Sequence, residues 1–128
     1  MVSLKARVII VSEDGDGDVN TVLSGILRLK GLLSHKSTNA EQCLKKIKEF
    51  EGNVEVVIME DEIAADRPAM LIINIKRINP DIKILVIAHE DTNKTRILDY
   101  GADEFALIPM SPENIADKVF SLLASKNR

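Results

Sequence analysis

Two acidic windows are the first places where this sequence could do chemistry. Glu13-Asp14-Gly15-Asp16-Gly17-Asp18 and Glu60-Asp61-Glu62 hold seven of the 20 acidic residues and none of the 17 basic ones. The whole chain carries −3, so the remainder, with 17 basic against 13 acidic residues, carries +4. Each window directly follows an aliphatic run, Val8-Ile9-Ile10-Val11 in one case and Val54–Met59 in the other. Both windows are therefore expected at strand ends, where Glu13, Asp14 and Glu60 would meet near one point. Crowded carboxylates raise one another's pKa or recruit a cation. Hard oxygen donors suit Mg²⁺ or Ca²⁺. Weak binding of either ion is the expectation, and no cofactor is required.

The glycine-spaced stretch Asp14-Gly15-Asp16-Gly17-Asp18 is similar to a calcium loop only at its start. Val19 stands where such a loop needs its sixth-position Gly, and Gly25 where it needs its twelfth-position Glu, so an EF-hand is excluded. The stretch has neither the spacing nor the lysine of a phosphate-binding loop, and its acids would repel phosphate. His35 and His89 are far apart and belong to no visible nucleophile–histidine–acid order, so each is expected as a surface or loop histidine. Cys43, the one cysteine, excludes an internal disulfide and a multi-cysteine metal site, and it fits a reducing compartment. Its place on an inner helix face makes it a structural thiol. Lys45, Lys46 and Lys48 read as a solvated helix face. No catalytic residue emerges, and the chain is not expected to be an enzyme.

Composition narrows the classes further. With 128 residues, the expectation is one domain spanning 1–128, long enough to bury a core without staples. Hydrophobic residues at 45% and charged residues at 29% are those of a globular protein. Aromatics are only 3%, namely Phe50, Tyr100, Phe105 and Phe120, so the core must be aliphatic and a base-stacking platform is disfavoured. The charge balance gives no sign of direct nucleic-acid or membrane-surface binding. The N-terminal apolar run is too short for a signal core or a membrane span, so a cytoplasmic protein is expected.

Strand-like and helix-like patterns alternate along the chain. Arg7–Ser12 reads as a buried strand. Asp16 or Asp18 caps a helix whose inner face is Val19, Val22, Leu23, Ile26 and Leu27, ended by Gly31. Leu32–Lys36 is a weak strand. Thr38 and Glu41 form a capping box for a helix with Ala40, Cys43, Leu44 and Ile47 inward, closed by Gly52. Val54–Met59 is a strong strand. Pro68 suits the first turn of a third helix, with Leu71, Ile72, Ile75 and Ile78 inward and Pro80 beyond its end. Ile82–Ala88 is a continuous apolar strand. Asp91 or Thr92 caps a short helix ending at Tyr100-Gly101. Phe105–Ile108 is the last strand. Ser111-Pro112 opens the last helix, with Ile115, Ala116, Val119, Leu122 and Leu123 inward. Five nearly continuous apolar strands alternating with five helices predict an α/β fold. Its sheet is parallel and doubly wound. Ligand chemistry in such a sheet belongs at the carboxyl ends of the strands.

From Arg7 to about Leu123 the sequence resembles the CheY-like receiver domain of two-component response regulators. Asn79-Pro80-Asp81-Ile82-Lys83-Ile84-Leu85-Val86-Ile87 is similar to that family's run into strand four. Tyr100-Gly101-Ala102-Asp103-Glu104-Phe105 is similar to its G-A-D-x-aromatic segment, and Ile108-Pro109-Met110-Ser111-Pro112-Glu113 to its K-P-F-S-P-E segment. The resemblance implies the flavodoxin-like (βα)5 sheet with order 2-1-3-4-5, an acidic pair after strand one and a phosphoacceptor aspartate ending strand three. It also implies a hydroxyl ending strand four, a lysine after strand five and an aromatic switch residue on strand five. Carboxylates there would hold Mg²⁺, and metal and lysine would neutralise a transferring phosphoryl group.

At nearly every one of those positions this sequence departs. The acidic pair aligns with Ser12-Glu13, the acceptor with Glu60, the hydroxyl with Ala88 and the lysine with Ile108; Phe105 and Pro109 are retained. The resemblance therefore implies a degenerate receiver, a pseudo-receiver without the standard aspartyl phosphorylation. Glu60 could mimic a permanently charged acceptor, though a solvated acid at a strand end is the plainer reading. Asp61 would be the acceptor only if strand three slid by one residue, which would turn every side chain over. The small Ala88 leaves room for Phe105 to stay buried, and a core place on strand five predicts the same burial.

The function implied is a signalling module of a two-component or phosphorelay pathway that acts through protein–protein contacts. The partner or dimer surface would be helix four, strand five and helix five, with Lys94, Ile97, Tyr100, Phe105, Leu107 and Lys118. An output domain beyond the C-terminus is compatible with it. Two rivals stand beside this reading: a working phosphoacceptor using Asp61 or Asp14 with Mg²⁺, and a flavodoxin-like nucleotide or flavin binder. Acids after strand one, where phosphate-cradling residues would be needed, disfavour the second.

Overall fold

Apolar runs build three central strands buried on both faces, and two partly exposed outer strands flank them. The structure, a computed structural model, describes residues 6–12, 18–61, 70–88 and 94–125, apart from the side chains of residues 18 and 19. In chain order the elements are β1 (Arg7–Val11), α1 (Asp18–Leu29), β2 (Leu33–Ser37), α2 (Ala40–Glu49), β3 (Val56–Glu60), α3 (Met70–Ile78), β4 (Lys83–Ala88), α4 (Lys94–Asp99), β5 (Glu104–Leu107) and α5 (Pro112–Ser125). The sheet is wholly parallel, as the strand pattern predicts, and its order β2-β1-β3-β4-β5 is the one the family resemblance implies. Strand boundaries differ from the sequence reading by one or two residues. Asp16, Pro68, His89, Asp91 and Thr92 lie outside the described residues.

Side-chain alternation splits the core into two layers. Ile9, Val11, Val57, Met59, Ile84, Val86 and Phe105 pack with Cys43, Ile47, Leu71, Ile72, Ile75 and Ile97 on the side of α2, α3 and α4. Val8, Ile10, Val56, Ile58, Leu85, Ile87 and Ala106 pack with Leu23, Leu27, Ile115, Ala116, Val119 and Leu122 on the side of α1 and α5. Both layers are almost entirely aliphatic. Val22, expected inward, is 49% exposed. The buried arc of α1 runs through Leu23, Leu27 and Ser24, and Ser24 Oγ lies 2.9 Å from Ser34 Oγ in β2.

The helix ends obey local rules, some one residue away from expectation. The N-cap of α2 is Asn39, not Thr38: its side chain accepts from Gln42 N at 2.8 Å. Gln42 Oε1 in turn accepts from both N and Oγ1 of Thr38. The box is built from Asn39 and Gln42, because Asn reaches the free amide three residues on as well as Thr does. Helices α1, α2 and α4 share one C-terminal pair of hydrogen bonds, seen in α1 as Gly31 N to Arg28 O and Leu32 N to Leu27 O. The left-handed residue this pair demands is Gly31 (φ 93°) or Gly101 (φ 120°), but in α2 it is Glu51 (φ 55°), just before Gly52. Ser111 Oγ accepts from Asn114 N and caps α5, where Ser111-Pro112 is expected to open it.

The segments that carry the family resemblance tie elements together. Asn79 Oδ1 accepts from Asp81 N at 3.0 Å, turning the chain into β4, while its Nδ2 donates to Gly52 O at the end of α2. Asp103 Oδ2 accepts from Ile84 N and from Lys76 Nζ, both at 2.8 Å, joining β4, α3 and the start of β5. Lys76 Nζ also donates to Ile82 O.

Both outer strands have a backbone group covered by their own chain. Leu33 N and Ser37 O bond toward β1, so Ser34 O faces outward, and Arg28 Nη2 donates to it at 2.6 Å. On β5, Ile108 N bonds Ala88 O, so Phe105 N faces outward and donates to Glu104 Oε1 at 2.9 Å. Covering edge groups in this way discourages strand addition.

Two stability outcomes follow. Asp103→Ala strands the Ile84 amide and the Lys76 ammonium, and should cost about 1–3 kcal/mol in urea unfolding. Gly25 sits inside α1, and a Cβ built there meets nothing within 4 Å. Gly25→Ala should therefore stabilise the fold by about 0.5–1 kcal/mol, read as a raised urea midpoint at unchanged slope.

Candidate functional site at the carboxyl end of the sheet

Strand register decides what meets at the acidic end. Val11 pairs with Met59, so the next residues, Ser12 and Glu60, stand side by side. Ser12 Oγ donates to Glu60 Oε1 at 3.0 Å. Ser12 is 1% exposed and its amide donates to Ser37 O, so the hydroxyl is held from both sides. Glu60 is half-buried and pairs with Ile87 of β4. Asp61 follows β3, half-buried. Glu13, Asp14 and Glu62 lie outside the described residues.

The remaining positions are apolar. Ala88 ends β4 fully buried on the α2–α4 side, in the same layer as Phe105, Val86 and Ile97. Phe105 is 7% exposed, with its ring in the core. Ile108 is half-buried and packs on the opposite layer, the side to which the alternation of β1 and β3 assigns Ser12 and Glu60. Its amide donates to Ala88 O at 2.7 Å, and its bond to Pro109 is cis. An aliphatic side chain there supplies no positive charge.

Among the described residues no group of three His, Cys, Asp or Glu side chains is placed to hold an ion. One oxygen of Glu60 already accepts the Ser12 hydroxyl. The Ser12–Glu60 bond was legible only through register: the two residues are 48 positions apart, and nothing local announces that they touch.

Two other reactive groups are structural. Cys43 is buried, and burial pushes its thiol up to about 12, far from a reactive thiolate. His35 corrects an expectation: it is neither a loop nor a freely exposed residue but lies in β2, with its ring 4.8 Å from that of Phe50. Arg7 covers Phe50 at 4.4 Å. His35 Nε2 is buried without a hydrogen-bond partner. Desolvation first, then the charges of Lys46, Arg7 and Arg28, hold its pKa below 6.5. A separate open cavity of about 350 Å³ is lined by Lys36, Gln42, Lys45, Lys46 and Glu49, outside the acidic site.

The surface expected to meet partners is narrower than its sequence reading. Ile97 is 1% exposed and Phe105 7%, so both belong to the core, because their strand and helix phases turn them inward. Lys94 is exposed, Tyr100 and Lys118 are half-exposed and Leu107 is 42% exposed. Lys118 Nζ lies 3.8 Å from Glu104 Oε2. Among the described residues no helix is long and apolar enough to cross a membrane.

The architecture and strand order define a doubly wound α/β protein of the flavodoxin-like type. Its fold is that of CheY-like response-regulator receiver domains. One such domain, from Methanospirillum hungatei, superposes with TM-score 0.82 at 20% identity, over 97% of this chain and 98% of the other. A two-component response regulator from Clostridium difficile gives TM-score 0.80 at 22% identity, over 97% and 100%. NtrX from Brucella abortus, solved with ADP, gives 0.82 at 17% identity over 97% of this chain, but the match spans only 27% of that longer protein. No family model matches the sequence, and no curated protein does.

His35 supplies the pH test. Its folded pKa is lowered, so between that value and 6.5 the unfolded chain binds a proton that the folded chain does not. Stability contributed by neutral His35 is complete above 6.5 and falls as the pH drops through that window. In an NMR titration its ring should change below 6.5, and His35→Phe should flatten the fall in urea stability over the same range.

Proposed function

We propose that this chain is a receiver-type signalling module of a two-component or phosphorelay pathway. It works through protein–protein contacts, without the standard aspartyl phosphorylation and without catalytic activity of its own. The observation that carries this reading is the Ser12–Glu60 bond. The residue at the acceptor position is engaged at 3.0 Å by a hydroxyl that stands where the family resemblance implies a metal-binding acid. Phosphoryl transfer to a carboxylate needs charge neutralisation around the incoming group. Ile108 offers no cation, Ala88 offers no hydroxyl and Ser12 offers no carboxylate. Glu60 is also one methylene longer than aspartate, which moves its oxygens away from the position an aspartate would hold.

The contact surface in this reading is the α4–β5–α5 face, reduced to its accessible members Lys94, Tyr100, Leu107 and Lys118. A further output domain fits the same reading, since the matched portion of NtrX is a minor part of that chain. The rival, phosphorylation at Asp61 or Asp14, keeps one supporting feature: Asp61 follows Glu60 directly at the sheet's carboxyl end.

Acetyl phosphate and beryllofluoride with millimolar Mg²⁺ separate the two. The expected result is an unchanged intact mass and amide spectra that match those with Mg²⁺ alone. A phosphoryl adduct mapped to Asp61 or Asp14 overturns the proposal.

A further inference from the structure

Helix α1 carries an apolar stripe on the side turned away from the sheet. Val22 is 49% exposed and Leu29 is 89% exposed, the largest value among the exposed large hydrophobics. Between them lie exposed Gly25 and half-buried Ile26, which flanks the stripe toward α5. The spacing Val22, Gly25, Ile26, Leu29 reads the same from either end: a small and a branched residue at the middle, a large apolar residue at each tip. Val22 and Leu29 are about 10 Å apart along the helix axis.

Gly25 adds an independent observation. Its Cβ would meet open space, and no positive φ is recorded for it. The isolated chain thus gives no reason for glycine inside an exposed helix, where alanine forms helix better. Close approach of a second backbone gives one. Charge supplies the third element: Asp18 opens α1, while Arg28 and Lys30 lie at its other end.

We infer that α1 is the seam of a two-fold homodimer, in which the helices of two copies cross antiparallel over Gly25 and Ile26. Val22 of each copy packs on Leu29 of the other. The Asp18 end of each helix lies beside the Lys30 end of its mate, and the helix dipoles oppose. A two-fold axis makes any such contact self-complementary, which the symmetric spacing of the stripe satisfies and an unrelated partner would not require. The seam is small beside a standard interface, so the dimer is weak and dependent on concentration. It is distinct from the α4–β5–α5 face.

Sedimentation from micromolar to millimolar concentration should show a monomer passing to a dimer. Leu29→Glu, at a site too exposed to disturb the fold, should weaken association roughly tenfold or more, whereas Leu107→Glu should leave it unchanged. Circular dichroism verifies that both variants fold. Mixing Val22→Cys and Leu29→Cys chains under mild oxidation should give mixed 22–29 crosslinks faster than 22–22 or 29–29 ones, with buried Cys43 a spectator. A chain that stays monomeric throughout overturns the inference and leaves the stripe to a different protein. So does association that survives Leu29→Glu, or crosslinking fastest between like positions.

Discussion

Burial of the parallel sheet on both faces is the constraint from which the other features follow. Helices cover each side, so a side chain on β1, β3 or β4 reaches solvent only at the strand's two ends. That restriction turns register into chemistry. Val11 opposite Met59 brings Ser12 against Glu60, and Glu60 opposite Ile87 brings Ala88 level with Asp61. A shift of one residue in any pairing would move the aliphatic side chains to the wrong layer. The contents of the site are thus fixed by the packing of residues such as Ile9, Ile58 and Val86, none of which takes part in it.

The segments that most resemble receiver domains turn out to be joints. Asn79 shapes the entry to β4 and ties it to the end of α2; Asp103 gathers α3, β4 and β5 on one carboxylate oxygen. These residues hold the elements in place whatever happens at the sheet's end. Ser12, Glu60, Ala88 and Ile108 take no part in these joints. A scaffold and its chemistry can diverge separately when different residues encode them.

The fold was legible in the sequence because its signals are local and repetitive. Val8–Val11 and Ile84–Ala88 are apolar without a break, and Leu71, Ile72 and Ile75 repeat at helical spacing. Where the reading slipped, two nearby residues competed for one role. Asn39 rather than Thr38 caps α2, since either can accept from a free amide, and the left-handed turn expected of Gly52 begins one residue earlier, at Glu51. Val22 passed for core because a 3.6-residue period fixes the width of an apolar stripe poorly. The site was harder to read. Glu60, Ala88, Phe105 and Ile108 were placed by resemblance, while the bond from Ser12 to Glu60 depends on tertiary register that no window of sequence contains. His35 was misjudged for the same reason: its neighbours Arg7, Lys46 and Phe50 come from β1 and from α2 with its C-cap.

Arg28 and Glu104 each occupy one outward backbone group on a different border of the sheet. Copies that join strand to strand can keep adding, because every new border repeats the last, and the product is an endless fibre. Copies that join through a surface related to itself by a half-turn stop at two. A chain with its borders partly occupied is biased toward closed assemblies, so crowding it is a question of stoichiometry more than of precipitation.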